Sequence, residues 1–162
     1  MPNLLSAILA LGAALVLSAP LSAQQQAPMP PPATYGPAIT LEQAKKAADA
    51  AEAEAKKRSM KMAIAIVEPT GELVYFRKMD DTQYASIKIA QEKAVSAAIF
   101  RRSTKDFFDR VAKGDLSPMA LSRGVASAGG VPIVVNGKII GAIGTSGGAD
   151  DPIAQAGADA LK

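Results

Sequence analysis

Among its 162 residues the chain has no cysteine and no histidine. Without cysteine there is no disulfide, no thiol nucleophile and no thiolate metal site. Without histidine, the commonest general base and the commonest metal ligand are both gone. Tryptophan is absent too, and three Tyr and four Phe make up the aromatic content. So few rings cannot stack a run of bases, and nucleic-acid binding is not expected. Charge is missing at one end: no Lys, Arg, Asp or Glu precedes Glu42. Elsewhere the two signs mix along the chain and leave a net charge of only +3.

The uncharged end has a pattern of its own. Leu4 to Ala19 is almost wholly apolar, and Pro20-Leu21-Ser22-Ala23 offers small residues for cleavage. The run falls short of the roughly 20 residues a membrane helix needs. Met1–Ala23 is therefore expected to be a secretory signal peptide, the alternative being an uncleaved anchor. The mature protein is then exported, periplasmic or extracellular, with no membrane attachment after cleavage. Residues 24–38, rich in Gln, Pro and Ala, bury too little apolar surface to offset their ordering entropy and are expected to form a disordered linker. Residues 39–162 remain as one domain of ordinary size.

Within that domain Thr40 and Gln43 have the spacing of a capping box. Leu41, Ala44, Ala47, Ala48, Ala51 and Ala55 recur at helical spacing behind it. Met60 to Val67 alternates bulky Met60, Met62, Ile64 and Ile66 with small Ala63 and Ala65, as a strand does. Glu68-Pro69-Thr70-Gly71 is turn chemistry, and Glu72 to Lys78 is the returning strand. Tyr84 to Phe100 forms a second helix, and Ser103 or Thr104 caps a short third one closed by Gly114. Leu116 to Ser127 is irregular. Val131–Val135 and Lys138–Thr145 make a hairpin across Asn136-Gly137, and Asp151-Pro152 opens the last helix. The order α-β-β-α-α-β-β-α predicts an α+β domain: an antiparallel sheet of two hairpins with helices packed on it.

Two features carry candidate chemistry. The bend Thr145-Ser146-Gly147-Gly148, followed by a helix start, can present backbone N–H groups to a carboxylate or phosphate. Asp150 and Asp151 stand at the same entrance and would compete for those donors; the glycines would then serve conformation and packing alone. On the second helix Lys93 interrupts a stripe containing Ile89, Ala97 and Phe100. Either it projects into a pocket and pairs with a ligand carboxylate, or its stem covers apolar surface while the ammonium reaches water. Arg77 and Asp80 close the second strand, as a carboxylate clamp or as a structural pair.

Three passages resemble the GlcG/HbpS family, also called the haem-degrading or PduO C-terminal-like domain family. They are Val67–Gly71 leading to Arg77-Lys78-Met79-Asp80, Ala90-Gln91-Glu92-Lys93-Ala94 with Ala97 and Phe100, and the segment Gly129–Gly148 with its trailing helix Ile153–Gly157. The resemblance implies a profilin-like fold, a homo-oligomer, and haem binding in secreted members. On that footing Lys93, Arg77, Asp80, Thr145, Ser146, Gly147 and Gly148 are the candidate ligand-binding residues, with a haem propionate as one carboxylate for Lys93. Iron ligands would have to come from Met60, Met62, Met79, Met119, Tyr35, Tyr75 or Tyr84, and Met79 and Tyr84 lie nearest the expected pocket. The leading expectation is an exported small-ligand-binding protein, with haem or a related tetrapyrrole as ligand. The alternatives are an enzyme or accessory protein acting on a small, glycolate-like hydroxy acid, or a structural oligomerisation module.

Overall fold

A computed structural model describes residues 31–162. The expected signal peptide, and the linker as far as residue 30, lie outside the described residues. The elements are β1 (Thr34–Tyr35), α1 (Leu41–Lys57), β2 (Ala63–Val67), β3 (Leu73–Lys78), α2 (Ala85–Phe100) and α3 (Thr104–Ala112), then β4 (Gly130–Val135), β5 (Lys138–Ser146) and α4 (Asp150–Asp159). Among the described residues no helix is long and apolar enough to cross a membrane.

Both expected hairpins form, and they join through antiparallel pairing of β2 with β5. The hairpin turn has φ of 50° at Asn136 and 73° at Gly137, as the tight turn between twisted strands requires. The sheet is not purely antiparallel, however. Thr34–Tyr35, placed by composition in the linker, pairs in parallel with Lys138-Ile139 of β5. The Tyr35 hydroxyl lies 3.0 Å from the carbonyl of Ala98 and 3.1 Å from that of Ile99. Its one proton is shared between two carbonyls of the last turn of α2, of which that of Ala98 also accepts from Arg101 N.

The alternation in β2 sorts the helices into two layers. Met62, Ile64 and Ile66 face a core built with the alanines of α1 and with Ile153, Ala154 and Ala158 of α4. Ala63, Ala65 and Val67 face the other way, onto Ala90, Ala94, Ala97 and Ala98 of α2. Bulky side chains fill the deeper layer, and small ones let α2 lie directly on the strands. The Thr40–Gln43 capping box is present in both directions, at 3.0 and 3.2 Å. Ser103 caps α3 through the Lys105 N–H, while Thr104 accepts from Gly130 N. The last helix starts at Asp150 rather than behind a capping Asp151, because the Asp150 side chain itself reaches back into the preceding bend.

Arg77 fastens β3 to α1: Nη1 lies 2.5 Å from Glu52 and 2.8 Å from Asp49, and Nη2 donates to Tyr75 at 2.9 Å. Its carboxylates come from α1, not from Asp80, because β3 turns this position toward the α1 layer. The hydrogen bond from Lys56, with further help from Arg77, holds the Glu52 carboxyl below its ordinary range against the opposing effect of burial. A carboxyl depressed in the folded state adds stability above its unfolded pKa of about 4.3 and loses that contribution as pH falls through the folded value. Glu52→Gln is therefore expected to flatten the acid limb of stability below about pH 4.5. Urea midpoints from pH 3 to 7 check this, and an acid limb identical to that of the parent would refute it.

Candidate functional site

Lys93 lies on the sheet-facing side of α2 beside Ala90, Ala94 and Ala97, and is 1% exposed. Its stem runs under the end of β5. Nζ ends 2.6 Å from Asp150 Oδ2 and 3.4 Å from the carbonyl of Thr145. The other oxygen of the same carboxylate accepts from Gly147 N and Gly148 N, each at 2.9 Å. Thr145 Oγ1 donates to the Asp150 carbonyl at 2.6 Å and completes the closure. Ammonium and glycine bend thus meet as expected, but across the Asp150 carboxylate instead of an open hollow. The bend does present its N–H groups to an anion, and the anion is part of the chain.

Two glycines clear the space for this arrangement. Gly147 has φ of +146°, and a Cβ there would stand 2.1 Å from the Lys61 carbonyl. Gly129 has φ of +115°, and a Cβ would meet Asp150 Cβ at 2.5 Å and Lys93 Nζ at 3.3 Å. L-residues are strained at such angles, and neither site has room for a side chain.

The remaining expected residues stand elsewhere. Ser146 is buried and donates to Ser86 on α2 at 3.0 Å. Arg77 is spent on α1, on the opposite face of the sheet from Lys93. Asp80 is exposed at the turn after β3. Met79 packs against the deeper core, and Tyr84 is 86% exposed, with Lys78 Nζ 6.0 Å from its ring centre. Of the other sulfur and phenol candidates, Met62 is buried in the core, Met60 accepts from Ala149 N, and Met119 lies on the surface. Tyr75 serves Arg77, and Tyr35 serves the end of α2. Among the described residues no cluster of three or more acidic side chains could hold a metal ion. Asp151 Oδ1 is buried without a hydrogen-bond partner among the described residues.

A feature the sequence reading passed over lies on the outward face of α2. Lys88, Gln91, Glu92 and Val95 form one side of a cleft of about 410 Å³, and Arg123, Gly124 and Val125 form the other. Val125 N donates to Ser96 Oγ at 3.1 Å and fastens this loop to the helix. Arg123 holds φ of +65°, a backbone region sparsely used by residues other than glycine. The helical half shows as an i, i+3, i+4, i+7 set, which by itself looks like any solvated face. Only the irregular stretch Leu116–Ser127, folding over it, makes a cleft.

A mixed five-stranded sheet between two helical layers, with a self-filled anion bend and an open cleft, defines an α+β domain of the profilin-like type. The chain belongs to the HbpS-like family, whose model, described as haem degrading protein HbpS-like, matches residues 39–159. Protein GlcG of Escherichia coli K12 is 38% identical over 97 residues, which cover 60% of this chain and 72% of that protein. Among solved structures, a double mutant of Streptomyces reticuli HbpS superposes with a TM-score of 0.71 at 28% identity, over 80% of this chain and 90% of that one. PduOC in complex with haem gives 0.69 at 26% identity, over 77% and 96%.

Proposed function

We propose that this chain is an exported protein that binds a small ligand, haem or a related tetrapyrrole. One observation carries the reading: the domain matches a haem-degrading family over residues 39–159, and a solved relative, PduOC, holds haem on the same fold. The geometry favours binding over acid–base turnover. An enzyme acting on a small hydroxy acid would draw its proton transfer from Lys93, Asp80, Asp151 or a Tyr. Lys93 is committed to Asp150, and Asp80 stands alone on a surface turn. Export rests on the apolar run Leu4–Ala19 and the small residues after it. Self-association rests on the family resemblance alone, because the alanine stripes of α1 and α2 are buried inside the domain.

Titrating the full chain with hemin tests the ligand. The expected result is a shifted Soret band that saturates near one equivalent. An unshifted band at stoichiometric ratios overturns the reading.

A further inference from the structure

We propose that the cleft between α2 and the Arg123–Val125 loop is the ligand site, and that it holds a flat, apolar molecule by its carboxylates instead of by a metal. This rests on the tetrapyrrole reading and adds where, and by which chemistry, the ligand is held. At about 410 Å³ the cleft has the size of a small-molecule site. It takes an edge or one face of a porphyrin, and Val95 and Val125 supply the apolar wall.

The lining carries two cations, Lys88 and Arg123, neither in an ion pair among the described residues, as is also true of several other surface Lys and Arg side chains. The Arg123 head lies against the backbone of Gly71, within ordinary contact distance. A methyl group on Gly71 would stand 3.4 Å from Arg123 Nη2 and 3.4 Å from Val95 Cγ1. A guanidinium presents a fork that matches a carboxylate, and Lys88 offers a second positive point. Glu92 opposes them and leaves the lining with one net positive charge. His, Cys, Met and Tyr, the side chains that ordinarily hold haem iron, are all absent from it. A porphyrin bound here is gripped at its periphery.

The test measures affinity of the full chain for three probes: hemin, metal-free protoporphyrin IX and protoporphyrin dimethyl ester. Protoporphyrin IX is expected to bind within about threefold of hemin, and the ester about tenfold or more weakly, since charge-assisted hydrogen bonds are lost. Arg123→Ala and Lys88→Ala each weaken both diacids about tenfold. Glu92→Gln tightens them about twofold, as expected when an exposed like charge is removed. All three side chains are exposed, so the fold is kept, and an unchanged thermal midpoint verifies it. Hemin binding untouched by Arg123→Ala and Lys88→Ala overturns the site and leaves the tetrapyrrole reading standing. Binding lost when the metal is removed overturns the peripheral grip. Failure of every probe overturns the reading and the site together.

Discussion

Asp150→Ala is expected to cost about 3–5 kcal/mol, the largest loss of any single substitution at the buried cluster. The reason lies on the other side of the pair. Lys93 is 1% exposed, and apart from Asp150 Oδ2 at 2.6 Å its ammonium has only the Thr145 carbonyl at 3.4 Å. Deleting the carboxylate leaves a buried cation without a counter-charge. It also frees Gly147 N and Gly148 N, but these are near solvent and water can take them. Lys93→Met should cost much less, because it removes the charge that needs a partner and keeps the apolar stem. Combining Lys93→Met with Asp150→Asn should then recover most of the loss, since a buried ion pair replaced by matched neutral groups is often nearly neutral. Urea unfolding of Lys93→Met, Asp150→Asn and their double variant closes the cycle, with Asp150→Ala measured beside it. A loss below about 1 kcal/mol for Asp150→Ala would mean that the ammonium finds water, and would refute the sealed arrangement.

Gly144→Ala is the second large effect, at or above the top of the roughly 1–3 kcal/mol range for overpacked interiors. A Cβ on Gly144 would stand 2.0 Å from the Ala90 carbonyl oxygen and 2.5 Å from Ala94 N. These are backbone atoms of α2, so no side-chain rotation relieves the clash. The helix has to lift from β5, which opens the small-residue layer of Ala63, Ala65 and Ala142 against Ala90, Ala94 and Ala97. Gly114→Ala serves as the contrast. Nothing lies within 4 Å of a Cβ there, but φ is +90°, so only backbone strain of about 1–2 kcal/mol applies. Denaturant midpoints that rank Gly114→Ala as the worse of the two would contradict direct contact between α2 and β5.

Much of the architecture was legible because it is written in local spacing. The Thr40–Gln43 box, the alanine stripe of α1 and the Asn136-Gly137 turn each depend on neighbours within a few residues, and each appears where expected. The bulky and small alternation of β2 marked a strand, and only the packing showed that it sorts two different layers. Boundaries shifted by three residues at Ala63 and by one at Leu73, Ala85 and Asp150. Strand Thr34–Tyr35 was not legible, because its partner lies about a hundred positions further on and a parallel pairing leaves no local mark.

The site divides along the same line. From its residues alone the chain determined that Lys93 sits on an apolar helix face, that the glycine bend offers N–H donors, and that Asp150 stands close enough to compete for them. Side-chain closure in three dimensions then decided the competition in favour of Asp150, because one carboxylate there satisfies both a buried ammonium and two backbone donors. Tertiary packing likewise gave Arg77 to Glu52 and Asp49 across the layer, where a reading along the strand had paired it with Asp80. It also made a cleft from Lys88 and Arg123, residues 35 positions apart that share no motif. Spacing along a chain specifies which face a side chain occupies, whereas the charge it meets depends on which distant segment folds against that face.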